Sequence, residues 1–326
     1  MENAVLVAGG AGYIGSHTVR ALLDEGRPVI VLDNLSEGHV EAAGGALLVQ
    51  ADIQDEGALE AIFSEHTISA VMHFCAYAYV GESVVNPQKY YHNNVGATLT
   101  LLAAMLRHKV KNIVFSSSCA TYGNPVRLPI DESHPQNPVN PYGATKYMVE
   151  RILADYHEAY GLNYIALRYF NAAGAHPDGS LGESHRIETH LIPLVLKTLT
   201  GERERIEIMG ADYDTPDGTC IRDYIHVCDL ANAHCAALGL LADGANGRCI
   251  NLGTGQGVSV REVIQACERV TGKKVPALVA PRRAGDPAAL VAAPSLAKKI
   301  LGWSAHWTDI HNIIETAWHW EQNRKF

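Results

Sequence analysis

A tyrosine and a lysine in the segment NPYGATKYMVE, residues 140–150, have a spacing that suits proton transfer. Tyr142 and Lys146 share one face of a helix that begins near Pro141, because residues i and i+4 are neighbours on a helix. A tyrosine phenol has a pKa of about 10 in water, and an adjacent ammonium lowers that pKa toward neutrality. Tyr142 is therefore a candidate base for a substrate hydroxyl, unless the two are unrelated surface residues at a spacing that is common by chance.

Three consecutive serines predict a further polar group beside this pair. The segment FSSSCATYG, residues 115–123, ends the fifth run that we interpret as a strand, so Ser116, Ser117 and Ser118 reach the end of that strand. The helix near Pro141 follows soon after and begins beside the same edge. A hydroxyl, a phenol and an ammonium would then converge beyond the carboxyl ends of the strands, where doubly wound sheets bind their ligands.

The elements that must position these groups alternate between strands and helices. Apolar, β-branched runs predict strands at 4–8, 28–33, 46–50, 70–75, 112–117 and 163–170, and helical patterns lie at about 13–26, 55–65, 87–108 and 141–160. This alternation predicts an α/β fold, a doubly wound parallel sheet of the Rossmann type. We place it at residues 1–173 and expect a second, smaller α/β substrate domain at 174–326, with strands near 223–254 returning to the first domain.

A glycine-rich turn after the first strand predicts a dinucleotide site. The segment VLVAGGAGYIGSH spaces Gly9, Gly12 and Gly15 as G-x-x-G-x-x-G and opens the first helix. Glycines there allow a tight turn and close approach to a pyrophosphate at the helix N-terminus. Asp33 ends the second strand, where a carboxylate accepts hydrogen bonds from both ribose hydroxyls and repels a 2′-phosphate. NAD is therefore favoured over NADP, unless Asp33 only caps a loop.

Composition excludes several classes of function. Of the 326 residues, 47% are apolar and 19% charged, which is typical of a globular protein. Apolar runs of about five residues are too short to span a bilayer, and no basic region or cleavage site at the N-terminus indicates secretion. The net charge of −9 speaks against nucleic-acid binding. We therefore expect no membrane partner and no nucleic-acid partner.

The cysteines and histidines predict neither disulfides nor a metal. Seven scattered cysteines without a C-x-x-C motif predict reduced thiols in a cytoplasmic protein. The segment DYDTPDG, residues 212–218, resembles a calcium loop, but Pro216 occupies a ligand position. The histidines at 176, 185 and 190 lack the i, i+4 spacing of a helical metal site.

Together, the glycine turn, the late-strand serine and Y-x-x-x-K resemble the extended short-chain dehydrogenase/reductases. The resemblance extends in order along nearly the whole chain to the UDP-galactose 4-epimerases, through the blocks GGAGYIGSHT, VLDNL, VMHF, VGESV, YYHNNV, SSSCATYG, NPYGATK, LRYFNAAGAHPDG, DGTCIRDYIHV and PRRAGD. It implies a Rossmann domain with a smaller sugar-nucleotide domain and NAD held through turnover. The implied activity interconverts UDP-glucose and UDP-galactose by oxidation at C4, rotation of the 4-keto sugar and hydride return. A homodimer packed through the helices at 87–108 and 141–160 is also implied.

The resemblance assigns roles to individual residues. Tyr142 would be the base, with the nicotinamide ring adding to the lowering of its pKa, Lys146 would hold a ribose, and Ser118 would share the sugar's proton. The cofactor would be bound by Gly9, Gly12, Tyr13, Ile14, Gly15, Asp33, Asn34, Asp52, Ile53, Phe74, Cys75, Asn94, Ser116, Tyr142, Lys146 and Phe170. The UDP-sugar would be bound by Ser118, Tyr142, Asn171, His190, Leu191, Arg222, Arg283, Asp286 and Leu290. Arginines suit a diphosphate because the guanidinium group is a forked hydrogen-bond donor. Alternatively, the RDY segment at 222–224 could form an internal ion pair.

Departures from the family pattern leave the sugar open. Ala8 and Ala78 stand where the family usually has Thr and Lys, which removes a turn hydrogen bond and a cofactor contact. Ala78 also resembles a subset that acts on UDP-pentoses, and Leu290, in place of a bulky Tyr, could admit UDP-N-acetylhexosamines. A 4,6-dehydratase is disfavoured because Cys119 and Ala120 follow the serines where those enzymes carry an acid pair. A non-catalytic NAD sensor or a dehydrogenase that releases NADH are further alternatives.

Overall fold

Apolar runs of the first half of the chain form a parallel sheet, in a computed structural model that describes residues 1–283 and 285–326. The strands are β1 Ala4–Ala8, β2 Val29–Asp33, β3 Leu47–Gln50, β4 Ile68–His73, β5 Asn112–Ser118, β6 Asn163–Tyr169, β7 Asn171–Ala173, β8 Ile206–Met209, β9 Ile221–Arg222, β10 Tyr224–His226, β11 Arg248–Leu252, β12 Val258–Ser259, β13 Ala277–Ala280 and β14 Ala289–Leu290. Seven of them form the main sheet in the order β11-β6-β5-β4-β1-β2-β3. Their pairing is parallel throughout, so their carboxyl ends share one edge.

Helices cover both faces of this sheet. The helices are α1 Tyr13–Asp24, α2 Glu56–Glu65, α3 Val80–Val85, α4 Pro87–Tyr90, α5 Ala97–Arg107, α6 Pro141–Tyr160, α7 Leu191–Thr200, α8 Val227–Ala242, α9 Val260–Thr271, α10 Ser295–Leu301 and α11 Ile310–Gln322. One apolar core joins α2, α5 and α6 to the sheet, and a second joins α1, α8 and α10 to it. The predicted doubly wound α/β fold is confirmed, and the six predicted strands differ from the observed ones by at most two residues at either end.

A third apolar core lies outside the main sheet. It is built by α7, α9 and α11 together with β8, and β8 pairs in parallel with β13. Smaller pairings join β7 to β10, and β9 to both β12 and β14. Because α8, α10 and β11 follow residue 174 in the chain yet pack with the main sheet, the domain boundary at 173 stays a prediction.

The helix predicted at 87–108 is interrupted. A π-helical turn, Tyr91–Gly96, lies between α4 and α5. It contains Asn94, which is buried and accepts a hydrogen bond from the Tyr77 backbone N–H at 2.9 Å. Such turns often occur at functional sites, and this one holds Asn94 against the loop after β4.

Candidate active site

The first βα turn accepts only glycine at two of the predicted positions. Gly9 has φ of +83°, and a Cβ there would lie 2.7 Å from the Cys75 backbone nitrogen. A Cβ on Gly15 would lie 2.0 Å from the Gly9 carbonyl oxygen, so α1 packs directly against the turn. The N-cap residue of α1 is Gly12, so within the described part of the chain α1 has no side-chain hydrogen bond at its N-cap. The first N–H groups of α1 are therefore available to an anion.

Asp33 lies beside this turn at the carboxyl end of β2. Its Oδ2 accepts the Ala11 N–H at 3.0 Å and its Oδ1 accepts the Leu35 N–H at 2.9 Å. Burial raises the pKa of this carboxyl, and the two backbone hydrogen bonds partly offset the rise. Next to it, Asn34 donates to Asp52 Oδ2 at 2.8 Å. The carboxylate is held in place at the position where a Rossmann sheet binds the adenosine ribose.

The other predicted cofactor residues line the same edge or pack beneath it. The Tyr13 hydroxyl donates to the Gly174 carbonyl at 2.6 Å, so its side chain joins the two halves of the chain. Ile14 is half-buried and Ile53 buried, each in an apolar core, while Phe74 packs on the His234 ring at a centroid distance of 4.7 Å. The Asn94 amide donates to Thr145 Oγ1 on α6 at 3.1 Å. This bond links the wall of the predicted cofactor site to the helix that carries the tyrosine and lysine.

The end of β5 and the first turns of α6 bring the predicted catalytic groups together. Pro141 begins α6, and the Asn140 side chain caps it by accepting the Gly143 N–H at 2.8 Å. Lys146 is buried and its Nζ donates to the Ser116 carbonyl oxygen at 2.8 Å. Burial lowers the pKa of Lys146 to about 8. The lysine is thus positioned by the strand that presents the serines.

The predicted net lowering of the Tyr142 pKa is wrong for the protein without its cofactor, because burial outweighs the effect of Lys146. The phenol is almost fully buried, and burial raises its pKa well above the ordinary value. The Tyr169 phenol raises it further, while interaction with the Ser118 hydroxyl acts in the opposite direction. Lys146 Nζ lies 5.9 Å from the centroid of the Tyr142 ring and is engaged with a carbonyl oxygen. At neutral pH these surroundings keep Tyr142 protonated.

A buried ion pair that the sequence analysis missed connects α6 to β5 and β6. Glu150 accepts from Arg168 Nε at 2.8 Å and from Nη2 at 2.7 Å. It also accepts from Ser117 Oγ at 2.5 Å and from Gln136 Nε2 at 2.8 Å. The signal was available, because Glu150 lies four residues after Lys146 on the same helix face, and Arg168 interrupts an apolar strand.

On the substrate side, β9 and β14 bring two predicted residues into contact. Arg222 Nη2 donates to Asp286 Oδ1 at 2.7 Å, so this arginine forms an ion pair with another residue of the predicted substrate site. Leu290 pairs with Arg222 in the strand register and packs beside Phe170. The remaining predicted substrate residues are Asn171, which begins β7, and Arg283, which is exposed before the turn that contains Asp286.

The last two predicted substrate residues, His190 and Leu191, lie where a loop enters α7. Leu191 begins α7, and His190 precedes it and contacts the Glu183 carboxylate through Nδ1. Although burial lowers it, the pKa of His190 is raised by the charge of Glu183. The sequence did not predict this contact, because it depends on the path of the loop.

These features define a dinucleotide-binding protein with a Ser–Tyr–Lys group at the carboxyl edge of a parallel sheet. The model of the NAD dependent epimerase/dehydratase family matches residues 5–253. The chain belongs to this family, which confirms the resemblance found in its sequence blocks.

Relatives match over nearly the full length. The UDP-glucose 4-epimerase of Halalkalibacterium halodurans is 54% identical over 319 residues, which cover 98% of this chain and 96% of that protein. The crystal structure of UDP-glucose 4-epimerase from Brucella ovis in complex with NAD has a TM-score of 0.95 and 52% identity, with 98% of each chain covered. The crystal structure of UDP-glucose 4-epimerase from Bifidobacterium longum in complex with NAD⁺ and UDP has a TM-score of 0.95 and 42% identity, with 99% of each chain covered. In the part of the chain that the structure describes, no helix has both the length and the apolar composition needed to cross a membrane.

Proposed function

We propose that the protein is an NAD-dependent UDP-sugar 4-epimerase that interconverts UDP-glucose and UDP-galactose. The observation that carries the proposal is the convergence of Ser118, Tyr142 and Lys146 beside a glycine turn, in a chain about half identical to UDP-glucose 4-epimerases. A hydroxyl, a phenol and a cation at a dinucleotide edge are the groups that oxidation of a carbinol requires.

The residues present fit NAD. Gly12, at the N-terminus of α1, puts no side chain between the first N–H groups of the helix and a pyrophosphate. Gly9 and Gly15 let the turn pack tightly against Cys75 and α1, because any side chain there would strike backbone atoms. The Asp33 carboxylate, oriented by two N–H groups, would accept the ribose hydroxyls and repel a 2′-phosphate. When bound, NAD supplies a reversible hydride acceptor and a positive charge that favours the phenolate.

The chain's own groups then handle the proton of the 4-hydroxyl. Tyr142 accepts it when the sugar is oxidised and returns it when the 4-keto sugar is reduced, and Ser118 holds the hydroxyl through a hydrogen bond. Lys146 remains mostly protonated at neutral pH, since its pKa is about 8, and it stabilises the phenolate. No net oxidation occurs, so one bound cofactor serves many turnovers.

The nucleotide end of the substrate would be held more firmly than the sugar. Arg222, already paired with Asp286, and the exposed Arg283 provide forked donors for the diphosphate and ribose in an otherwise acidic chain. The 4-keto sugar must rotate before the hydride returns. Firm binding of UDP and loose binding of the sugar permit that rotation.

An assay of UDP-galactose with the purified protein tests the proposal. We expect UDP-glucose as product, without loss of water and without net accumulation of NADH. A 4-keto-6-deoxy product would identify a dehydratase, stoichiometric NADH would identify a dehydrogenase, and no turnover of any UDP-sugar would leave an NAD-binding regulator.

We also propose that the protein is a cytoplasmic homodimer. Tyr91, Leu99 and Met148, on the helices predicted to form the interface, expose 37–42% of their surface to solvent. Exposed large apolar side chains on these helices suit a helix-to-helix contact. All seven cysteines are free, which suits a reducing compartment. The mass in solution should be twice 35.3 kDa and should fall to the monomer value in Leu99→Glu.

A further inference from the structure

Four side chains of the loop before α7 converge on one point outside the Ser–Tyr–Lys group. They are Glu183, His185, Glu188 and His190, and their ligand atoms all lie within 4.8 Å of one another. Among the residues that the structure describes, this is the only group of three or more His, Cys, Asp or Glu side chains with converging ligand atoms. Imidazole nitrogens and carboxylate oxygens are the ligands that zinc and related divalent ions take in proteins.

The two distances from His185 to the glutamates are close to the edges of a coordination tetrahedron. His185 Nδ1 lies 3.3 Å from Glu183 Oε1 and 3.3 Å from Glu188 Oε2. Bonds of ~2.0–2.2 Å to a central ion place neighbouring ligands of a tetrahedron about 3.3–3.6 Å apart. His190 Nδ1 lies 3.8 Å from Glu188 Oε1 and in closer contact with Glu183. The His190 side chain is 44% exposed.

The ligands are held in place by surrounding groups, as metal ligands usually are. Glu188 Oε1 accepts the N–H groups of Thr189 and His190, each at 2.7 Å, which orients its second oxygen toward His185. The His185 ring packs edge-on against Tyr13 and Tyr79 at centroid distances of 6.2 Å and 6.3 Å. Both glutamates are almost fully buried. Two buried carboxylates match the charge of one divalent cation, provided that both histidines release their protons when the ion binds.

We propose that Glu183, His185, Glu188 and His190 form a binding site for a divalent transition-metal ion of the zinc class. The E-x-H-x-x-E-x-H spacing does not resemble a helical metal motif. For that reason the sequence predicted no metal site. In the structure a loop, rather than a helix, brings the four side chains together. The proposed epimerase chemistry needs no metal, and one member of the cluster, His190, is also among the residues that the family resemblance assigns to the UDP-sugar.

Cobalt titration of the full-length protein, freed of metals with a chelator and desalted, tests the site. We expect one Co²⁺ per chain, with the visible absorption of a four- or five-coordinate ion, and stoichiometric displacement by Zn²⁺. A site without sulfur gives no near-ultraviolet thiolate-to-cobalt band, which separates it from binding at the seven cysteines.

Single variants identify the ligands. His185→Gln and His190→Gln should each weaken Co²⁺ binding by at least the ~10–100-fold that loss of an outer-shell partner costs. His311→Gln, which removes a surface histidine paired with Asp309, is the matched control and should bind Co²⁺ unchanged. Circular dichroism of the metal-free variants confirms that they fold. The proposal is overturned if the folded wild type shows no saturable Co²⁺ spectrum at micromolar concentrations, if the spectrum contains thiolate bands, or if either variant binds like the control.

Discussion

Replacing Glu150 with Gln should destabilise the protein far more than its conservative size suggests. The carboxylate accepts four hydrogen bonds, two of them from Arg168, and the two side chains are 3% and 5% exposed. Glutamine presents one oxygen and one NH₂ group where four donors converge. At least one donor of Arg168, Ser117 or Gln136 is then left facing another donor, and the guanidinium charge loses its partner.

The magnitude follows from burial. Removing one partner of a buried ion pair costs about 3–5 kcal/mol, whereas an exposed pair contributes about 0–1 kcal/mol. Glu150→Gln should therefore lower the free energy of unfolding by about 3–5 kcal/mol. Asp24→Asn removes the partner of Arg20 in a pair that is 37% and 60% exposed, and it should cost under about 1 kcal/mol.

Urea unfolding followed by tryptophan fluorescence measures both variants. The double variant Glu150→Gln, Arg168→Met should lose less than the sum of the single changes, because no unpaired charge remains. Activity gives a second measurement, since the Glu150 charge raises the pKa of Lys146 and its loss should move the alkaline limit of activity to lower pH. A loss of stability equal to that of Asp24→Asn, with an unchanged pH limit, would refute the reasoning.

Three further predictions concern the reaction. Tyr142→Phe should reduce turnover by roughly 10²–10⁴ while UDP binding, measured by calorimetry, persists; near-normal activity would remove Tyr142 from its role. Because burial lowers the pKa of Lys146 to about 8, the ammonium is present below that pH, and kcat should fall as pH rises through about 8. If Leu290 leaves room for an N-acetyl group, UDP-N-acetylglucosamine should be turned over, and Leu290→Tyr should lower that activity relative to UDP-glucose on the order of tenfold.

The sheet could be predicted because its strands are buried on both faces. A strand such as β1 reads as an unbroken apolar run, and every residue of it is buried. Local pattern could not predict the π-helical turn Tyr91–Gly96, since one additional residue per turn does not alter the composition of the helix. That turn depends on Asn94, whose side chain bonds to the loop at Tyr77.

The position of Tyr142 and Lys146 on one face of a helix could be predicted from their spacing. Tyr142 and Lys146 needed only the i, i+4 rule, and Glu150 continues it by one more turn. Its partner Arg168 comes from a strand, so the ion pair depends on tertiary packing. The loop cluster at 183–190 depends entirely on the path of the chain, and no periodic pattern describes it.

The pKa of Tyr142 could not be predicted from residue spacing, because it depends on the balance between the charge of Lys146 and the burial of the phenol. At 5.9 Å and an effective dielectric constant of 20, a full charge on Lys146 stabilises a charge at the ring centre by about 3 kcal/mol, or about two pKa units. Full burial can raise a pKa by about 3–5 units, so burial prevails and Tyr142 stays protonated. In the proposed reaction, that is the form that would return a proton to the 4-keto sugar. The basic form would need a second positive charge, which a bound oxidised cofactor would supply.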